Sequence, residues 1–216
     1  MEPTPESGFL TAIDDDSAMA SLQGPTFAVE FRRLADRWSE SLIPSGSGLV
    51  LARSHPGATD GDDPARVIHP VYQEVQVHGP ASGANACLLL TGLSFAHHFS
   101  AAVTIVDDRD QAGTVLIDYD VADRCRSPVE VLAATYVVSL NSGALESAEA
   151  GRIVWRVAGP SQGRLELAAV APCTLAMAEA GRTATRVQIL APIQAGTFTH
   201  RLRYGWRWTS AEGLTR

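Results

Sequence analysis

Apolar residues at helical spacing predict a first regular element in residues 27–42. The positions that share one face of this helix are Phe27, Phe31, Leu34, Ala35, Trp38 and Leu42. Their spacing follows the 3.6-residue period of an amphipathic helix. The first six residues also alternate between apolar and polar side chains, so a strand that begins at residue 27 remains an open alternative.

A second helix is predicted over residues 127–143, where the start and stop signals are stronger. Ser127 fits the N-cap, Pro128 the first helical position, and Glu130 completes a capping box three residues after the serine. Gly143 fits the C-terminal cap. The apolar stripe between them consists of Val129, Leu132, Ala133, Tyr136, Val137 and Leu140. Because the opposite side is also apolar, we expect this helix to be buried on most sides.

Most of the remaining chain alternates with a period of two, which predicts strands. The strand-like segments are residues 67–78, 86–108, 114–121, 152–158, 164–179, 183–190 and 197–209. The last segment has two different faces, one with His200, Leu202, Tyr204, Trp206 and Trp208 and the other with Arg201, Arg203 and Arg207. This pattern predicts a core-facing aromatic row and a basic face on the other side of the strand.

Two nearly identical pentapeptides predict an internal duplication. QAGTV occupies residues 111–115 and QAGTF residues 194–198, and a GP-containing turn precedes each of them, GPASG at 79–83 and GPSQG at 159–163. A helix followed by several strands, repeated twice, predicts an α+β double hotdog, in which each of two buried helices is wrapped by antiparallel sheet. The alternative is an all-β sandwich with one helix.

The duplication also predicts how the chain is divided. Residues 1–24 carry PTPES and DDD segments and are expected to form a flexible N-terminus. The first hotdog-like half then covers residues 25–121 and the second covers 122–210, with a short tail at 211–216.

Composition excludes several classes of function. The 216 residues carry a formal net charge of −7 without a block of Lys or Arg, which argues against nucleic-acid binding. The acidic N-terminus lacks the features of a secretory signal, and no apolar run approaches the ~18 residues of a membrane span. The three cysteines form no CxxC pattern and are interpreted as reduced thiols. We therefore expect a soluble, cytoplasmic protein without a membrane partner.

The segments VIHPVYQEVQVHGP (67–80) and GLSFAHHFSAAVTIVDDRDQAGTVLIDYDV (92–121) resemble the sheet half of hotdog proteins of the MaoC-like hydratase/dehydratase and acyl-CoA thioesterase groups. The resemblance is one of pattern and covers about Gly24 to Ser210. It implies an apolar tunnel for an acyl or polyketide chain linked to coenzyme A or to an acyl carrier protein. It implies no further cofactor. Catalysis would lie near a helix N-terminus, whose free N–H groups hold a thioester carbonyl.

The chain departs from the hydratase pattern at its histidines. That group uses an Asp followed five positions later by a His, and none of the six histidines in this sequence has such an Asp. Two functions therefore remain open. The first is an enzyme of dehydratase/hydratase, thioesterase or cyclase type acting on an acyl or polyketide thioester. The second is a non-catalytic hotdog protein that binds an acyl chain or completes a heterodimer, and a homodimer is an equally open arrangement.

Three residues are candidates for acid–base catalysis in this scheme. Glu130 is the carboxylate at the start of the apolar helix, where a helix cap is the alternative role. His97 and His98 are adjacent on a predicted strand and therefore point to opposite faces, so one of them can line a tunnel. The alternative is one core-facing and one solvent-facing histidine.

The candidate substrate-binding residues are Ser127, Tyr136, Arg201 and Arg203. Ser127 and Tyr136 belong to the predicted helix, and the two arginines are placed to meet the phosphates of coenzyme A or of a phosphopantetheine arm. No spacing of His, Cys, Asp or Glu indicates a metal site. Motifs for nucleotide binding and for serine hydrolases are also absent from the sequence.

Overall fold

The computed structural model describes residues 10–14, 18–60, 63–78, 87–108, 111–140, 142–179 and 184–214. The first nine strands are β1 (Leu10–Asp14), β2 (Met19–Gln23), β3 (Phe27–Leu34), β4 (Arg37–Pro44), β5 (Ala52–Ser54), β6 (Thr59–Asp60), β7 (Asp63–Val67), β8 (Glu74–His78) and β9 (Cys87–Ser94). The remaining elements are β10 (His97–Asp107), β11 (Thr114–Cys125), β12 (Val131–Ser139), β13 (Gly143–Glu149), β14 (Arg152–Val157), β15 (Gly163–Ala169), β16 (Thr174–Glu179), β17 (Ala184–Leu190), β18 (Thr199–Ser210) and the short helix α1 (Ala211–Leu214).

The strands form two sheets that pack as an all-β sandwich. The first sheet has the order β1-β2-β3-β4-β5-β12-β17-β16, and β7, which carries β6, also pairs with β12. The second sheet has the order β13-β14-β15-β18-β11-β10-β9-β8. Between described residues, the β7–β12 pairing is parallel and the others are antiparallel. The α+β double hotdog is therefore wrong, and the alternative of an all-β sandwich is confirmed.

The predicted helix over residues 27–42 is instead the hairpin of β3 and β4. Phe27, Val29 and Phe31 are fully buried, which is the period-two pattern of a strand with one face in the core. The turn places Ala35 at φ 56°, and Leu34, which was assigned to the helical stripe, is 53% exposed. The stripe was misleading because Phe27 and Phe31 satisfy a period of four and a period of two equally well.

The predicted helix over residues 127–143 is replaced by β12, which lies inside the first sheet between β5 and β17. Five consecutive residues of this strand, Leu132 to Tyr136, are buried, because both faces of the strand are covered. A strand buried on both faces is apolar all round, and so is a buried helix, so hydropathy did not separate them. The β-branched and aromatic residues of the run favour the strand.

Aromatic side chains join the two sheets across the core. Phe27 of the first sheet stacks on Trp208 of the second with ring centroids 5.5 Å apart. Tyr136 meets Trp206 edge to face at 5.2 Å, and Trp206 in turn stacks on Trp155 at 6.1 Å. Such pairs add about 0.5–1.5 kcal/mol each beyond the burial of their surface. The core-facing aromatic row predicted for the last strand is present.

The two QAGT segments form the same local turn. In each, the Thr N–H donates to the Gln carbonyl three residues earlier, at 3.1 Å in the first turn and 3.3 Å in the second. Gly113 and Gly196 have φ of 75° and 78°, a region that glycine adopts at little cost. The strands that follow, β11 and β18, are direct neighbours in the second sheet. The sequence repeat therefore corresponds to a repeated turn, and the equivalence of whole halves stays a prediction.

The predicted segments map unevenly onto the sandwich. Within residues 1–24, which were predicted to be flexible, Leu10–Asp14 and Met19–Gln23 are strands, and Ala20 and Leu22 are fully buried. The predicted boundary between residues 121 and 122 falls inside β11. The GPASG turn at 79–83 lies outside the described residues. No helix in the described ranges is long and apolar enough to cross a membrane.

Candidate functional site

A buried carboxyl at the centre of the sandwich organises a cluster of polar side chains. Glu40 of β4 is 2% exposed, and the Tyr136 hydroxyl donates a hydrogen bond to its Oε1. The Tyr136 and Tyr204 hydroxyl oxygens lie 2.7 Å apart, which connects β12 to β18 of the other sheet. His69 Nε2 lies 3.7 Å from the same Oε1. The cluster therefore crosses the core from one sheet to the other.

Burial controls the protonation of this cluster. Loss of solvent raises the pKa of Glu40 to about 7, although a hydrogen bond from Tyr136 opposes the shift. Loss of solvent lowers the pKa of His69 to about 3, so its ring is neutral. The Thr135 N–H donates to His69 Nδ1 at 3.1 Å, which leaves the ring proton on Nε2, facing Glu40. Glu40 Oε2 and Tyr119 Oη make no hydrogen bond of regular geometry within the described part of the chain, yet the Tyr119 hydroxyl is close enough to Glu40 to lower the pKa of that carboxyl by weak hydrogen bonding.

The cluster is closed to a ligand. A surface cavity of about 160 Å³ lies next to it, lined by Trp38, Ser54, His55 and His69 among others. His69 is 6% exposed, and its two nitrogens face Thr135 and Glu40 rather than the cavity. We therefore assign the cluster to holding the sheets together in register.

A groove at one end of β18 is more open. Two adjoining cavities of about 310 and 470 Å³ share the residues Gln194, Thr197 and His200, and we call their union the His200 groove. Its other lining residues include Val170, Cys173, Arg201 and Arg203 on one side and Arg126, Ser127, Ile193 and Phe198 on the other.

His200 is the polar side chain of the inner face of β18 that borders both cavities of this groove. Its side chain is 5% exposed, lines both cavities and makes no hydrogen bond to another described residue. The His200 nitrogens are not among the enclosed polar atoms that lack a partner, so they can be reached through the two cavities by water or by a ligand. Directly opposite on β11 is Asp123, which is 0% exposed and whose Oδ1 has no hydrogen-bond partner among the described residues.

The other oxygen of Asp123 is held by His97. Asp123 Oδ2 lies 2.9 Å from His97 Nδ1, and the Pro64 carbonyl lies 2.8 Å from His97 Nε2. Both ring nitrogens face acceptor oxygens, an arrangement that favours the doubly protonated ring. Burial opposes that charge, but the hydrogen bonds to Asp123 and Pro64 outweigh it and raise the pKa of His97. His97 therefore fixes the Asp123 carboxylate beside His200.

The rim of the groove combines cations with an aromatic ring. Phe198 is 60% exposed, and Arg126 is exposed without an ion pair to any described residue. Arg201 binds Asp120 with two hydrogen bonds, and Arg203 Nε lies 3.9 Å from the same carboxylate. Arg203 also interacts with Asp118. The three guanidinium groups of Arg126, Arg201 and Arg203 therefore face two carboxylates, which leaves a small excess of positive charge at this rim.

The structure brings three of the predicted substrate-binding residues into this groove. Ser127 lies on one side, and Arg201 and Arg203 lie on the other. Tyr136 lies elsewhere, fully buried in the Glu40 cluster. The binding roles given to these four residues stay predictions.

The predicted catalytic residues are not brought together. Glu130 is exposed and lies 3.5 Å from Arg66, and His98 is exposed on the outer face of β10. His97 is 1% exposed and bound at both nitrogens. Ser127 and Glu130 cap no helix, because residues 131–139 are a strand. A helix N-terminus that holds a thioester carbonyl is therefore wrong at this place.

Sequence reasoning missed Glu40, His69 and Asp123 and did not select His200. Strand parity placed His200 on the same face as Tyr204 and Trp206. A histidine at a core-facing position was therefore the sequence feature that could have marked His200 as a candidate. Glu40 shares the parity of Leu42 on β4, where a carboxylate stands out at a buried position. Its hydrogen bond with Tyr136 of β12, and through Tyr136 the connection to Tyr204 of β18, depend on strand order, which no local pattern reveals.

Comparisons with known proteins place the fold. No family model and no curated protein matches the chain. Two solved structures of heparinase III (the BT4657 gene product) are similar, one of them with methylated lysines. That structure gives a TM-score of 0.56 at 8% identity, and the other gives 0.54 at 10% identity. In both cases the match covers 94% of this chain and 36% of heparinase III.

These likenesses show the fold alone, because the identities are low. The class that they define is a two-sheet antiparallel β-sandwich that also occurs within the heparinase III chain. The chain spans about a third of the length of that protein. The resemblance to hotdog proteins is therefore wrong, because the similar structures are rich in β-sheet and the chain forms no buried helix among its described residues.

Proposed function

We propose that this chain is a non-catalytic β-sandwich that binds an acidic saccharide in the His200 groove. The observation that carries the proposal is His200, a largely buried imidazole that lines two open cavities and makes no hydrogen bond to a described residue. Heparinase III is, by its name, a protein that acts on heparin, an acidic polysaccharide. The fold of 36% of the heparinase III chain is similar to the fold of the present chain. The similar fold provides a precedent for binding an acidic saccharide, and the residues of the groove provide the groups that would contact it.

Each part of the groove suits one part of such a ligand. The guanidinium groups of Arg126 and Arg203 match a carboxylate or a sulfate, which Arg binds with two parallel hydrogen bonds. The exposed ring of Phe198 offers an apolar face to the ring of a sugar. The Gln194 amide and the His200 ring offer donors and acceptors to hydroxyl groups. The net charge of −7 is spread over the whole chain, whereas this rim is locally cationic.

The acyl-thioester functions lose their structural basis. They required a tunnel that ends at a buried helix N-terminus, and the chain has β12 at this position. Binding of coenzyme A, of an acyl carrier protein or of an acyl chain stays a prediction, and so does a homodimer or a heterodimer. The non-catalytic part of that alternative agrees better with the exposed Glu130 and the doubly bound His97.

The test is calorimetric titration with a heparin-derived tetrasaccharide. We expect binding to the unchanged protein and a loss of about tenfold or more in affinity for His200→Leu, which keeps the volume and removes the hydrogen-bonding atoms. The matched control is Arg186→Ala on the outer face of the first sheet, where the affinity should not change. Absence of tetrasaccharide binding, or equal affinities for His200→Leu and the unchanged protein, would show that the proposal is wrong.

A second candidate function is elimination on a uronic acid, which would make the chain a lyase. The pairing of His200 with the unpartnered Asp123 Oδ1 favours it, because a carboxylate beside an imidazole supports proton abstraction next to a carboxyl group. The same mixtures, followed by ultraviolet absorbance, distinguish the two functions. An unsaturated product that His200→Leu abolishes supports the lyase, and binding without product supports the non-catalytic proposal.

A further inference from the structure

Strand β8 ends the second sheet and leaves one edge open. Among the described residues β8 pairs with β9 and with no other strand, so its far edge presents backbone N–H and C=O groups without strand partners. The strand has the sequence EVQVH, and its exposed residues are Glu74, Gln76, Val77 and His78. An exposed strand edge is a template for pairing with another chain.

Apolar side chains border this edge. β1 of the first sheet lies close to β8, so the two sheets end on the same side of the sandwich. Ile13 of β1 lies opposite the buried Ala20 and therefore faces inward. Val77 of β8 lies opposite the buried Leu88 and also faces inward. Yet Ile13 is 37% exposed and Val77 is 38% exposed, so the described residues leave this side of the core partly uncovered.

The sequence of β8 is complementary to itself. When two copies of a strand pair antiparallel across a two-fold axis, one residue lies opposite itself and the residues on either side of it exchange partners. With Gln76 at this centre, Val75 of one copy lies opposite Val77 of the other. Glu74 of one copy then lies opposite His78 of the other, and this pair occurs twice. Apolar cross-strand pairs and pairs of a carboxylate with a hydrogen-bond donor both stabilise antiparallel sheets.

Glu74 and His78 are available for this contact. In the described part of the chain Glu74 has no ion pair, and its Oε2 accepts a hydrogen bond from Thr91 Oγ1 at 3.1 Å, which leaves Oε1 for a second donor. The exposed His78 ring makes no hydrogen bond to a described residue. A histidine can donate to a carboxylate whether or not it is charged.

The other three strands that end the two sheets lack this complementarity. In β1, pairing about Ala12 would place the charged Asp14 opposite the apolar Leu10. In β13, pairing about Glu146 would bring two carboxylates face to face. In β16, Glu179 is the one charged residue, so a second copy of the strand offers it no opposite charge. Among the sheet ends of the described chain, self-pairing is therefore favoured at β8.

We propose that this chain forms a two-fold homodimer in which β8 pairs antiparallel with β8 of a second copy about Gln76. The second sheets of the two copies then form one continuous sheet, and the exposed side chains of Ile13 and Val77 lie beside the second copy. Three strands separate β8 from β18 in the sheet, so the contact lies roughly 19 Å from the strand that carries His200. The dimer therefore does not rest on the proposed function.

The test is an exchange of charges, followed by sedimentation velocity. A contact between five-residue strands lies at the small end of protein interfaces, so we expect a monomer–dimer equilibrium with a dissociation constant on the order of 10 µM. Glu74→Lys and His78→Glu should each weaken the dimer about tenfold, because each removes both cross-strand pairs of Glu74 with His78. The double variant Glu74→Lys/His78→Glu places a lysine opposite a glutamate and should return to within about threefold of the unchanged protein. The matched control is Leu145→Glu, which adds a carboxylate to β13 at the other end of the same sheet and should leave association unchanged.

Several outcomes would overturn the β8 dimer. One is a protein that stays monomeric up to about 200 µM, well above the expected dissociation constant. Others are a dimer that neither single variant weakens and a loss that the double variant does not recover. An equal loss for Leu145→Glu would reduce the effect to net charge. Val77→Asp serves as a second variant and should also weaken the dimer about tenfold, while the circular dichroism of its monomer stays that of the unchanged protein.

Discussion

Glu40 shows how one buried group can set the response of the molecule to pH. Its carboxyl has a pKa of about 7 in the folded protein against an ordinary value of 4.5. Between pH 4.5 and pH 7, the Glu40 carboxyl is therefore protonated in the folded state and ionised in the unfolded chain. By linkage, the contribution of this proton to the free energy of unfolding is fully present below pH 4.5 and is lost as the pH rises through 7.

The residue-scale prediction compares Glu40→Gln with the unchanged protein. The Gln amide is neutral at every pH, its oxygen can accept from Tyr136, and its NH2 can donate to Tyr119. Between pH 5 and pH 8 we expect the free energy of unfolding of the unchanged protein to fall by about 2–3 kcal/mol more than that of the variant. Urea unfolding at each pH measures the difference. Parallel curves for the two proteins would mean that Glu40 does not hold its proton.

The sequence identified the side on which individual residues lie but not their partners. Strand parity placed Tyr204 and Trp206 inward and Arg201 and Arg203 outward, as the structure has them. Parity cannot tell that Tyr136 will meet Glu40, because 96 residues and several strands separate them. Ser127 was selected for a helix-based reason that the structure does not support, whereas Arg201 and Arg203 were selected as the basic face of a strand, and all three border the groove.

At the scale of elements, the two QAGT turns allow the same glycine substitution to be compared in two different surroundings. Both glycines have positive φ, so an alanine costs about 1–2 kcal/mol of backbone strain at either position. At Gly196 a Cβ meets nothing within 4 Å, whereas at Gly113 it lies 2.8 Å from Ser210 Oγ and 3.3 Å from the backbone of Gly213. The surroundings of the two turns therefore differ although the turns themselves agree.

We expect Gly196→Ala to lower the free energy of unfolding by about 1 kcal/mol and Gly113→Ala to lower it by about twice as much or more. Chemical denaturation of the two variants side by side measures both costs. Equal losses would mean that the contacts around Gly113 move aside without cost. The repeated pentapeptide was the sequence signal for these turns, and it predicted their shared geometry correctly.

The two helices predicted from sequence failed for different reasons. In residues 27–42, the spacing of Phe27 and Phe31 fits a strand as well as a helix. In residues 127–143, β12 is buried on both faces over Leu132 to Tyr136, so its hydropathy resembles that of a buried helix. The capping pattern from Ser127 to Glu130 is equally consistent with the turn that leads into this strand. Local signals therefore located ordered segments but gave neither their type nor their limits, since residues 27–42 contain one strand and part of a second, and residues 127–143 contain a strand at 131–139.

At the scale of the whole molecule, each predicted half supplies strands to both sheets. Residues 25–121 include β3 and β4 of the first sheet and β9 and β10 of the second, and residues 122–210 include β12 and β18. A cut between the halves divides β11 and removes its last residues, including Asp123. The sandwich type could be proposed from alternating hydropathy, but this interleaved strand order could not, because it depends on contacts between distant segments.

We therefore expect neither half to fold when it is produced alone. Amide NMR spectra of residues 25–121 and of residues 122–210 should each lack the dispersion of a β-sheet protein, and the intact chain should show it. A dispersed spectrum from either half would support two separable units and the predicted duplication. The intact chain at the same concentration and pH is the control.

Trp155, Trp206 and Trp208, three of the four tryptophans, are at most 2% exposed and share the inner side of the second sheet. Trp206 lies edge-on to Tyr136 of the opposite sheet, and Trp208 lies under Phe27. The indole rings thus form an optical probe inside the molecule, whose surroundings exist only while the two layers are closed. Trp38 alone lies half-buried beside a surface cavity. Most of the tryptophan fluorescence of the folded protein therefore comes from side chains that lie between the two sheets.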